Sequence, residues 1–195
     1  EVWMITAGGA LFASFPHVYA TLFSGFYMAL FLMLAVLIMR GVAFEFRSKS
    51  ANRTWRKVFD YCIFIGSIVP ALLWGVTVGN LIQGTPIDET MTYVGTFWDL
   101  LSPYTVLCGV AFVLVFTYHG GLFTSIKTAG PISERARAAS LVTGVPTAIG
   151  VIALIIASYV CTDLYSSILA TIFCALAVVC FLISWAAART RNTKW

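Results

Sequence analysis

Residues 164–188 carry no charged side chain, and neither do residues 138–160. As helices rising 1.5 Å per residue, both stretches are long enough to cross the roughly 30 Å hydrocarbon core of a bilayer. A soluble domain has nowhere to bury segments of this kind one after another. Three further runs of span length precede them, at 18–39, 58–82 and 104–123, the second with Asp60 near its start. Backbone groups inside a bilayer must be satisfied within the spanning segment, so the expected fold is all-α, a polytopic transmembrane helical bundle. Composition agrees, because charged residues make up 10% of the chain against about 25% in ordinary soluble domains.

The first apolar run, residues 1–15, is shorter. It would be about 22 Å long as a helix, less than a full span. No basic segment precedes it, so it does not read as a signal peptide. It is expected to be the later part of a span whose beginning is absent, and the sequence to be a piece of a longer protein. The expectation is therefore one partial span plus five complete spans, with 161–163 the whole connection between the last two.

The charges sort by side. Segments 40–57, 124–137 and 189–195 hold all 12 Lys and Arg residues. By alternation of the spans these segments share one side. Segments 83–103 and 161–163 hold Asp88, Glu89, Asp99 and Asp163 and no basic residue. The excess of Lys and Arg in cytoplasmic loops places the basic segments in the cytoplasm. Basic loops alternating with apolar spans do not describe a nucleic-acid-binding surface.

Packing signals lie within the spans. Ala71, Gly75 and Gly79 recur every fourth residue, a small-residue stripe that lets another helix approach closely. Pro70 and Pro146 are candidate kinks. Asp60 follows Arg56 and Lys57 by four and three residues, which suggests an ion pair along one helix.

Chemistry-bearing residues are sparse. His119 falls late in one span and His17 beside Pro16 at a turn, positions better suited to hydrogen bonding than to haem ligation. The five cysteines are scattered without a CxxC pair, so neither a disulfide framework nor a metal site is expected. Glu1 would lie within the membrane or at its inner edge, where a carboxylate can relay protons. No phosphate-binding loop, HExxH or nucleophile elbow is present.

Five stretches together carry a family resemblance: EVWMITAGGALFASFP at 1–16, YATLFSGFY at 19–27, RGVAFEFRSK at 40–49, WRKVFD at 55–60 and GNLIQGTP at 79–86. The chain resembles subunit II of bd-type quinol oxidases, most closely over its first 90 or so residues. Beyond about residue 100 the similarity rests on span order.

The resemblance implies a complex in a prokaryotic cytoplasmic membrane that reduces O2 to water with electrons from a quinol. It implies haem b and haem d in a partner, subunit I, and no haem ligand in this chain. The role implied here is to stabilise that haem-bearing subunit and to contribute to oxygen and proton access. Glu1 matches a position near the family's proton path, and Trp3 matches a Trp at a proposed oxygen entry. Gly79, Asn80, Gly84 and Pro86 match an element on the outer side. That element is read as a helix end, with Gly84 as a left-handed cap, Pro86 as the stop and Asn80 satisfying nearby carbonyls. The resemblance leaves open a structural quinone or lipid on this subunit and small single-helix accessory subunits. The rival readings are a secondary transporter of a small solute, which predicts broken helices and an inverted repeat, and a cytochrome subunit with its own haem.

Overall fold

The computed structural model describes residues 2–89 and 93–190, excluding the side chains of residues 2–5 and 166. Among the described residues seven α-helices follow in order: α1 Val2–Ser14, α2 Pro16–Gly25, α3 Tyr27–Phe46, α4 Arg53–Gln83, α5 Pro103–Lys127, α6 Pro131–Cys161 and α7 Ile168–Arg189. One-turn 3-10 helices at Phe97–Leu100 and Leu164–Ser166 precede α5 and α7. Among the described residues there is no strand, only an isolated bridge between Ile87 and Tyr93. Helices α3 to α7 are long and apolar enough to cross a membrane.

Helix ends follow capping chemistry rather than the edges of the apolar runs. Asn52 caps α4, its side-chain oxygen accepting from the Thr54 N–H at 2.9 Å. The Ser102 hydroxyl caps α5 by accepting from the Thr105 N–H at 3.2 Å, with Pro103 at the first helical position. Gly130, at φ 71°, turns the chain so that Pro131 opens α6. The helices therefore outrun the apolar limits. α3 continues beyond residue 39 through Arg40 to Phe46, α4 begins five residues before 58, and α6 begins seven before 138. The link between α6 and α7 runs over 162–167 rather than the three residues expected, because Leu164–Ser166 turn before α7 begins.

The stretch 18–39 is also interrupted. Phe26, at φ −94° and ψ 13°, separates α2 from α3, although its N–H still donates to the Leu22 carbonyl at 2.9 Å. The Tyr93 ring lies against Gly25, where an added Cβ would stand 2.9 Å from Tyr93 Cγ. Phe26 is buried there, close to a small core of Ala29, Met33 and Leu73 flanked by Val69 and Phe97.

Each helix packs mainly on its neighbours in sequence, most extensively α5 on α6, then α4 on α5 and α3 on α4. The α3–α4 corner is tied by two contacts. Trp55 Nε1 donates to the Phe46 carbonyl at 2.9 Å, and the Arg47 guanidinium pairs with Asp60 at 2.5 Å. Asp60 thus reaches across the corner to Arg47 rather than along its own helix to Arg56 or Lys57. Its carboxylate points toward α3, and the exposed pair closes the turn instead of stiffening one helix.

Candidate functional site

The residues singled out in the sequence converge at the junction of α4 and α5. Gly75 and Gly79 lie buried on the face of α4 that meets α5. A Cβ at Gly75 would stand 2.6 Å from the Cys108 carbonyl oxygen and from Gly109 Cα. From the other side, a Cβ at Gly109 would stand 2.9 Å from the Leu72 carbonyl oxygen. The two backbones are in direct contact, which only glycine permits. Ala71, one turn before Gly75, is half-buried. Pro70 and Pro146 lie inside α4 and α6, which continue through them.

Next to Gly79, Asn80 is buried and its amide donates twice, to the Val76 and Leu100 carbonyls, both at 2.8 Å. The Leu100 carbonyl also accepts from Thr105 Oγ1 at 2.7 Å, and the Ser102 hydroxyl donates to Gln83 Oε1 at 2.9 Å. Asn80 therefore satisfies a carbonyl of the incoming 3-10 turn besides one of its own helix, and the ends of α4 and α5 are bound into one polar knot. Gly84 follows the last residue of α4 with φ 88° and ψ 138°. The φ is positive, but the ψ belongs to an extended glycine conformation, not the left-handed cap expected. Pro86 beyond it is exposed, and its carbonyl accepts from the Val94 N–H at 3.2 Å.

The loop that follows is closed by a capping box. The Asp99 carboxylate accepts from the Thr96 N–H at 2.6 Å and from its hydroxyl at 2.8 Å. Those bonds to the ionised form hold the Asp99 carboxyl below the usual carboxylate range. A lowered folded-state value means the cap is fully present above about pH 4, the ordinary Asp value, and is lost as pH falls through the lowered one. Protease nicking of this loop in the full-length protein should accordingly rise on acidification below pH 4. In Asp99→Asn the same nicking should no longer change with pH.

Sequence reasoning did not anticipate an apolar cavity on one side of α5. Helices α4, α5, α6 and α7 enclose a cavity of about 400 Å3, lined by side chains including Val78, Phe112, Ile155 and Phe181. That volume falls within the range of small-molecule sites. Its polar atoms cluster at the end nearer the acidic loops, where Tyr104 OH and Ser158 Oγ lie 2.9 Å apart and Tyr165 OH lies 3.4 Å from Cys174 Sγ. One signal for it is legible in hindsight. Tyr104, Cys108, Phe112 and Val115 share a face of α5 at helical spacing, but that pattern alone does not tell a cavity wall from a packed interface.

Other expected residues lie apart. Glu1 is outside the described residues. Trp3 belongs to α1, but its side chain is outside the description. His17 is exposed near the start of α2 and His119 is exposed on α5; neither lines the cavity. Among the described residues no cluster of three His, Cys, Asp or Glu side chains could hold a metal ion.

Comparison with known proteins converges on one family. The family model described as cytochrome bd terminal oxidase subunit II matches residues 1–195. The probable cytochrome oxidase subunit 2 of Haemophilus influenzae is 46% identical over 153 residues, covering 76% of this chain and 40% of that protein. The cytochrome bd-I ubiquinol oxidase subunit 2 of Escherichia coli K12 is 46% identical over 151 residues, covering 75% of this chain and 40% of that protein. The cytochrome bd ubiquinol oxidase subunit 2 of Bacillus subtilis is 36% identical over 198 residues, covering 100% of this chain and 58% of that protein. The chain thus spans between 40% and 58% of the length of these relatives. With a match along its whole length, the chain belongs to the cytochrome bd terminal oxidase subunit II family.

Proposed function

We propose that this chain works within a respiratory quinol oxidase that reduces O2 to water with electrons from a membrane quinol. The observation that carries the reading is the family match over 1–195, joined by relatives named as ubiquinol oxidase subunits at 46% and 36% identity. In this reading haem b and haem d sit in a partner, subunit I, and this chain holds that subunit in place. Small single-helix accessory subunits fit the same assembly.

The membrane is the prokaryotic cytoplasmic membrane, and the basic segments 40–57, 124–137 and 189–195 face the cytoplasm. The one-sided distribution of the Lys and Arg residues supports that orientation. Glu1 is assigned to proton uptake, because protons need ionisable groups or water, and Trp3 to oxygen access, because O2 crosses apolar gaps without polar help. The cavity among α4 to α7 suits a structural quinone or lipid tail in volume and in its apolar lining. Nothing in the fold or the family favours a secondary transporter.

The test is spectroscopic. The full-length protein purified with its native neighbours should show haem b and haem d bands and oxidise quinol with O2 uptake. His119→Ala should leave those bands unchanged. A stable, colourless protein that purifies alone would overturn the reading, and loss of a haem band in His119→Ala would move a haem into this chain.

A further inference from the structure

The α3–α4 corner gathers charge of one sign. Residues 40–60 hold six Lys and Arg side chains and two carboxylates, Glu45 and Asp60. Both carboxylates are already engaged, Glu45 by Lys49 at 3.8 Å and Asp60 by Arg47 at 2.5 Å. Arg56 braces the corner itself, its Nε donating to the Ser50 carbonyl at 3.2 Å. Arg53 and Lys57, in the first turns of α4, are exposed and pair with no acid among the described residues.

These two cations are followed on the same face of α4 by Tyr61 and Phe64 at helical spacing. Both rings are exposed, about 6 Å and 10.5 Å along the helix from Lys57, within the apolar run that begins at residue 58. Lys57, Asp60, Tyr61 and Phe64 line one surface hollow of about 400 Å3. The stripe therefore passes from unpaired cations at the membrane surface to aromatic rings inside it.

We propose that this stripe binds an anionic phospholipid of the leaflet on the basic side. Its phosphate lies between Arg53 and Lys57, and its glycerol and first methylenes run along Tyr61 and Phe64. Charge complementarity selects the head, because Lys and Arg just outside a span attract anionic lipid. Asp60 does not cancel the two cations, since Arg47 already neutralises it. A zwitterionic head would bring its own ammonium to a corner with no free carboxylate to receive it. The rings select a lipid over soluble phosphate, which has no apolar tail to lay along the span. The inference goes beyond the oxidase reading and does not depend on it.

Photolabelling tests it. The full-length protein in its native assembly is placed in a bilayer of phosphatidylcholine and phosphatidylglycerol, each in turn carrying a photoreactive acyl chain. Labelling of residues 57–68 is read by mass spectrometry. Phosphatidylglycerol should label this stretch at least fivefold more than phosphatidylcholine, since one basic residue near an anionic surface is worth about fivefold in attraction. Arg53→Gln/Lys57→Gln should bring that preference below about twofold. Lys127→Gln/Arg135→Gln removes the same charge from another basic segment and should leave the preference unchanged. Equal labelling by the two lipids in the wild type would overturn the proposal. So would an absence of labelling, which means that a protein covers the stripe. An equal loss in the Lys127 and Arg135 control would also overturn it, as general attraction to the basic side. If the Arg53 and Lys57 variant does not accumulate, the wild type in raised salt decides. Salt screens exposed charges, so the preference should fall, and a preference that salt does not move would refute a head held by Arg53 and Lys57.

Discussion

Gly75→Leu should abolish accumulation of the folded protein in the membrane. The position has no room on the α5 side, since even a Cβ would meet the Cys108 carbonyl oxygen and Gly109 Cα at 2.6 Å. Those are backbone atoms, so no side chain can swing aside, and α4 and α5 must separate along their crossing. Overpacking of an interior commonly costs about 1–3 kcal/mol, and backbone-to-backbone contact puts this case at or above about 3 kcal/mol. The separation would also draw Asn80 away from the Leu100 carbonyl, so packing and polar contacts should fail together. Gly120, also in an apolar helix, has nothing within 4 Å of an added Cβ. Gly120→Leu should therefore accumulate normally, and equal loss in both variants would show that the α4–α5 contact is not the cause. Fluorescence-detected size-exclusion chromatography of the full-length protein measures both.

Asn80→Asp should be the second most damaging single change. The substitution keeps the shape of the side chain but replaces an amide that donates to two carbonyls with an oxygen that cannot donate when ionised. Orphaning buried polar groups costs about 1–3 kcal/mol each, more when a charge is involved, so a loss of about 3 kcal/mol is expected near neutral pH. Thr105→Val removes the other donor to the Leu100 carbonyl and should cost only about 1 kcal/mol, the net worth of a typical hydrogen bond. Because both side chains act on one carbonyl, the double variant should depart from additivity. Unfolding midpoints test all of this, and an unchanged midpoint in Asn80→Asp would contradict the proposed geometry.

Both variants act where sequence and tertiary structure meet. The glycine spacing in residues 71–79 points to a close helix approach, but not to which helix comes close. Gly109 and Cys108 supply that answer from 30 residues away, and nothing local marks them as partners. Asn80 is readable as a polar residue that must find acceptors inside an apolar span. Its acceptor across the junction, the Leu100 carbonyl, belongs to a 3-10 turn that Thr96 and Asp99 cap.

Charge-free runs of span length determined by themselves that this chain is an all-α membrane protein, since a bilayer forces every spanning backbone group to be satisfied within its own segment. Three of the seven described helices, α4, α5 and α6, start where local residues, Asn52, Ser102 with Pro103, and Pro131, act on their own first turns. Two features were decided only by the tertiary structure. Asp60 meets Arg47, not its own helix neighbours, because the α3–α4 corner brings them together. The cavity among α4 to α7 exists because four helices fail to close over one apolar face, and its lining reads in sequence like any other packed helix face. Hydropathy and capping act over one turn of chain, whereas these features depend on which residues distant in sequence come to lie within a few ångströms of one another.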